Sequence, residues 1–207
     1  MNTRLCIILL AATVFAGCSK APEELRQPVK CAAPARTEPS LDSGVLTSAT
    51  FEVVQQDVAK EKTKDGKTVT TYVQHIVEKA QLSPDINLEI SLGGCEYYAN
   101  IYTFSLPRTG QPATNTEFWI RKADELMGLI EPAVRDRGVN LGNLRKELQR
   151  RANDPAAAPF TDQAIQGVLP GGEAANPVKH HYQVQVDERA DSATVTVQYA
   201  VGPFPGR

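Results

Sequence analysis

A period of two in the apolar residues, interrupted by turn chemistry, constrains this chain more than any other feature. Ile86, Leu88, Ile90 and Leu92 alternate with Asn87, Glu89 and Ser91, the spacing of a strand that buries one face and wets the other. Gly93-Gly94 turns the chain, and Cys95 to Leu106 then supplies Tyr97, Tyr98, Ile101, Tyr102 and Phe104, types that suit a pleated, half-buried surface. Upstream, Leu46 to Ala59 and Thr68 to Glu78 flank Lys64-Asp65-Gly66-Lys67, and Asp-Gly between two such arms marks a hairpin. Near the other end, Tyr182, Val184 and Val186, then Val195, Val197, Tyr199 and Val201, alternate with polar residues around Asp187 to Ser192. Two or three hairpins are therefore expected, about six strands in all.

Between these strands the period changes. Thr114 and Glu117 have the spacing of a capping box, and Phe118, Lys122, Leu126, Leu129, Ile130 and Ala133 follow at helical spacing, so a helix is expected from Asn115 to about Asp136, with Pro132 kinking or ending it early. A second runs from Asn140 to Ala152, with a stripe of Leu141, Leu144 and Leu148 and a Glu147–Arg151 pair on its exposed side,. Asn153 to Lys179 holds four prolines and Gly171-Gly172 and reads as a long loop with one helical turn after Thr161. Strands, helices, then strands give an α+β domain: a mainly antiparallel sheet packed against a central helix pair.

The first seventeen residues pattern as an export signal: Arg4, an apolar run from Leu5 to Phe15, then Ala16 and Gly17,. The run is about half of the roughly 20 residues a membrane-spanning helix needs. Phe15-Ala16-Gly17-Cys18 resembles the lipobox of bacterial lipoproteins. The resemblance covers the leader alone and implies cleavage before Cys18, acylation of that cysteine (palmitate among its chains), and a domain facing the periplasm. Ser19, rather than Asp, after the cysteine implies by the same analogy sorting to the outer membrane. Several acyl chains hold a protein stably where one holds only marginally. The mature chain would have 207 − 17 = 190 residues, enough for one domain. Ser19 to Gly44, with Pro22, Pro28, Pro34 and Pro39, reads as a tether after the lipidated cysteine. The division is thus 1–17 signal, 18–44 anchor and tether, 45–207 globular domain.

Without its leader the chain carries 21 basic and 24 acidic side chains, 21 − 24 = −3, a balance that argues against nucleic acid or anionic lipid as a partner. Cys31 and Cys95 are the cysteines left in an oxidising compartment and are the expected disulfide pair, the alternatives being two free thiols or a bond to another chain. No catalytic motif is present: there is no G-x-S-x-G elbow or phosphate-binding glycine loop, and no calcium-loop spacing around Asp187, Glu188 and Asp191. His180 and His181 point to opposite faces of a strand, and His75 shares a face with Val69, Val73 and Val77,. No cofactor or metal is expected. Arg145, Lys146, Arg150 and Arg151 read as a solvated helix face, and Thr70, Tyr72, Gln74, Gln183, Gln185, Thr194, Thr196 and Gln198 as the sheet's polar side. Phe160, Ile165, Val168 and Leu169 place apolar groups in the long loop where a partner could bury them. The expectation is a noncatalytic lipoprotein that binds an envelope protein, as inhibitor, immunity protein or assembly accessory. The alternative is a small envelope hydrolase or ligand-binding domain using His75 or the polar sheet face in a pocket.

Overall fold

The computed structural model describes residues 24–33, 38–135, 139–154 and 180–202, and the backbone of 164–168 and 179. The leader, Cys18, Phe160 and Leu169 lie outside these residues. Eight strands form one sheet: β1 Glu24–Pro28, β2 Thr50–Lys62, β3 Thr68–Ser83, β4 Ile86–Gly93, β5 Tyr98–Pro107, β6 Ala164–Val168, β7 Lys179–Glu188 and β8 Ser192–Gly202. Across the sheet the order is β2-β3-β4-β5-β8-β7-β6, with β1 lying end-on to β4 along the same side of β3.

Three hairpins form, β2–β3, β4–β5 and β7–β8, where two or three are expected. Thr63 to Lys67 closes β2 on β3, with Gly66 at φ 78°, the left-handed conformation that Asp-Gly turns exploit. Two further strands come from stretches read as irregular. Glu24–Pro28, within the expected tether, runs parallel to Thr68–Tyr72, and Ala164–Val168, in the expected loop and helical turn, pairs antiparallel with His181–Gln185. The sheet is therefore mixed and wider than the expected six strands. Prolines punctuate both stretches, but a short edge strand tolerates proline beside it because one side of its backbone faces away from the ladder.

Helices α1 Thr116–Ile130 and α2 Leu141–Ala152 pack on each other and α1 lies against β7 and β8. The cap of α1 is Asn115, whose Oδ1 accepts from Phe118 N, so the Thr114–Glu117 box does not form. Any side-chain oxygen at the residue before the helix serves the orphan donors equally well. Pro132 ends the helix in a 3₁₀ turn, Glu131–Ala133, rather than allowing it to reach Asp136,. The core lies between helices and sheet: Trp119, Ala123, Leu126, Met127, Ile130, Leu144 and Leu148 meet Ile76, Ile90, Leu92, Phe104, Val184, Val195 and Val197.

Facing in β3 is the reverse of what its valines suggest. Ile76, Glu78 and Ala80 turn to the helix side, opposite Leu92, Ile90 and Leu88 of β4, while Val73, His75 and Val77 lie half-buried on the other side. Glu78 is buried because its carboxylate accepts the backbone N–H groups of Ser40 and Leu41 (2.8 Å for Leu41). It thereby anchors a loop that also bonds to Ala133 and Arg135. A buried carboxylate with two amide donors is an acceptable core residue, whereas an unpaired one is not.

Candidate functional site

Cys31 and Cys95 are disulfide-bonded, with Cα atoms 4.5 Å apart, and Ala33 N donates to Cys95 O at 2.8 Å beside them. The bond fixes the chain just after β1 to the β4–β5 turn.

Strand β2 is the largest unusual surface. Twelve of its thirteen residues are exposed, and among the described residues it pairs only with β3, which leaves its outer edge of N–H and C=O groups open. Natural edges of this length are generally blunted by bulges or charge. In β2 that protection is confined to one half. The register slips between Asp57 and Ala59, Asp57 pairs with Arg26 at 2.6 Å, and Lys60 reaches Glu24 at 3.5 Å. The other half, Thr50–Gln56, has no bulge and a single charge, Glu52. Phe51 and Val53 there lie on the helix side of the sheet, opposite Glu78 and Ile76, yet remain 56% and 50% exposed because the helix pair sits on β7 and β8 instead.

The other sequence candidates are dispersed. Ile165 and Val168 are on β6, at the opposite edge of the sheet, paired with Val184 and His181. His75 stands between Val54 of β2 and Gly93 of β4, with no acid in register beside it. His180 and His181 do face opposite ways: His180 Nδ1 contacts the Tyr199 hydroxyl on the helix side, whereas His181 lies edge-on to Tyr97 at 6.0 Å. No group of three or more metal-ligating side chains exists among the described residues, and no described helix is long and apolar enough to cross a membrane.

The polar side of the sheet is not one surface. Thr70, Tyr72 and Gln74 share the helix side with Ile76, and Thr70 is fully buried, its hydroxyl donating to Glu24 at 2.6 Å. Gln183, Gln185, Thr194, Thr196 and Gln198 are on the opposite side. Nor is α2 a basic face. Arg145 binds Asp124 at 2.8 Å and Glu131 at 2.6 Å. Glu147 is buried, not exposed as its spacing suggested: it receives two bonds of 2.7 Å from Arg150, one of 3.3 Å from Arg151, and the Tyr182 hydroxyl at 3.2 Å. The Arg150 hydrogen bonds hold its carboxyl below its usual range, while burial pushes the Tyr182 phenol up to about 12. Such a cluster fastens α2 to β7. A phenol kept neutral this far above its ordinary value is a poor nucleophile or base.

Comparison with protein-family models, curated proteins and solved structures finds no match to this chain.

Proposed function

We propose that this chain is a noncatalytic, lipid-anchored protein-binding module of the bacterial envelope, facing the periplasm from the outer membrane, and that its partner lays an extended segment along Thr50–Gln56. The lipobox at Cys18 supplies the address, and the Cys31–Cys95 bond suits an oxidising compartment,. The observation that carries the binding role is the first half of β2, where an edge unpaired among the described residues coincides with exposed Phe51 and Val53. Adding a strand to such an edge gives affinity through main-chain hydrogen bonds, and alternate side chains give specificity. The segment that fits places apolar residues beside Phe51 and Val53 and a basic one near Glu52. An inhibitor or immunity protein would meet one soluble effector in this way, and an assembly accessory a membrane complex.

The test is crosslinking in intact cells followed by capture of tagged protein, comparing the wild type with Phe51→Lys/Val53→Lys and with Cys18→Ala. Both edge residues are exposed, so the double variant keeps its core. One protein crosslinked through an extended segment, lost in the edge variant and reduced without the anchor, is the expected result. Equal capture by wild type and edge variant removes β2 from the interface, and no capture by any of them removes the binding role.

A further inference from the structure

The neighbours of β2 fix which of its main-chain groups point outward. Tyr72 O accepts Val29 N at 2.8 Å, so Tyr72 turns its N–H and C=O towards the β1 side of β3. These groups alternate along a strand, and Val73, His75 and Val77 therefore turn theirs towards β2. Their partners there are Gln56, Val54 and Glu52, whose groups are used inside the sheet. Phe51, Val53 and Gln55 are left with N–H and C=O pointing outward. Their side chains are all exposed on the helix side, opposite Glu78, Ile76 and Gln74.

We infer that Thr50–Gln56 pairs antiparallel with the same stretch of a second copy of this chain, about a two-fold axis through Val53. The inference rests on the reading of this stretch as a strand-accepting edge and names a further occupant for it. In this register Val53 faces Val53 of the second copy, and Phe51 of each copy faces Gln55 of the other, so each pair exchanges two main-chain hydrogen bonds. Between them Glu52 faces Val54. A two-fold axis through Glu52 would instead set the two glutamates directly opposite, where like charges destabilise. An axis through Val54 would bring Phe51 against Asp57, which Arg26 already holds at 2.6 Å, and would run into the register slip between Asp57 and Ala59, where a bulge bends the strand away. The Val53 register opposes no like charges and stops short of that slip. On the helix side it also sets Phe51, 56% exposed, diagonally beside Val53 of the other copy, 50% exposed, within reach of an aromatic ring. An isologous contact closes on itself and so caps an edge that would otherwise template open-ended strand addition. Seven residues a side make a small interface of the transient kind, which another protein's segment can displace.

The experiment places single cysteines in the full-length chain, oxidises cells that make it, and reads disulfide-linked dimers on non-reducing gels. The wild type, whose Cys31 and Cys95 are joined to each other, is the blank. Directly paired residues lie about 4.5–5.5 Å apart between Cα atoms, within disulfide reach, and diagonal ones lie farther. The expected result is at least about tenfold more dimer from Val53→Cys than from Glu52→Cys or Val54→Cys made separately, with Glu52→Cys and Val54→Cys crosslinking when made together. Sedimentation of the detergent-solubilised full-length protein is the second measurement: a dimer fraction that grows with concentration is expected in the wild type and is absent in Phe51→Lys/Val53→Lys. Dimer no more abundant at Val53 than at Glu52 and Val54, or a wild type that stays monomeric at every concentration, overturns the self-pairing. If an envelope protein is then still captured through Thr50–Gln56, the edge reading stands without it. If that capture fails as well, both fall.

Discussion

Removing one oxygen from the sheet, in Tyr182→Phe, tests the account of the Glu147 cluster through its dependence on pH. Tyr182 is 2% exposed and its hydroxyl donates to Glu147. Burial raises its phenol from the usual 10 to about 12 in the folded protein. The unfolded chain therefore ionises first as pH rises. A group with a raised folded-state value contributes its stability in full below pH 10 and loses it between pH 10 and about 12. At 1.36 kcal/mol for each unit of difference, the wild type loses about 1.4 kcal/mol at pH 11 through this residue alone. With a urea dependence of about 2 kcal/mol per molar, the midpoint falls by about 0.7 M. Phenylalanine cannot ionise. At pH 7 the variant is less stable by about 1 kcal/mol for the lost hydrogen bond, and the gap closes or reverses by pH 11. Urea unfolding of both proteins at pH 7, 9, 10 and 11, with the disulfide intact, measures it. Parallel curves for the two proteins across that range would refute the assignment of the alkaline loss to Tyr182.

Two other perturbations test the frame around the edge strand. Cys31→Ser/Cys95→Ser opens a link between residues 64 apart, worth about 4 kcal/mol on the chain-entropy account; a urea midpoint within error of the wild type would contradict that. Gly94 sits at φ 124° and a Cβ there would lie 2.0 Å from Tyr97 O, so Gly94→Ala should lower stability by about 2 kcal/mol or more, and an unchanged melting temperature would mean that the β4–β5 turn relaxes freely.

Local chemistry accounts for the parts of this fold that were legible in the sequence. The Ile86–Leu92 alternation, the Asp65-Gly66 turn and the leucines of α2 each depend on neighbours within a few residues, so strand, hairpin and helix followed from spacing. The same evidence misjudged β3, where Val69, Val73 and Val77 look like a core face. Which face of a strand is covered depends on what packs over it, and the helix pair lies on the side of Ile76, Glu78 and Ala80. Glu147 was misread for a similar reason: its i,i+4 arginine is local, but the Tyr182 hydroxyl that draws it inward comes from 35 residues away.

The candidate edge was the least legible feature. Nothing in Thr50–Gln56 distinguishes an edge strand from a central one, because openness belongs to the pairing of the whole sheet. Taken alone, the sequence determined the strand and helix periods, the hairpin turns and the two cysteines available to pair, all set by composition and near-neighbour geometry. Only the tertiary structure decided that β1 begins beside the β2–β3 turn, that β2 stands at the margin with Phe51 and Val53 exposed, and that Glu78 and Glu147 are core residues. Each of these is a contact between segments far apart in the chain, and such contacts are chosen by burial and hydrogen-bond satisfaction across the whole domain.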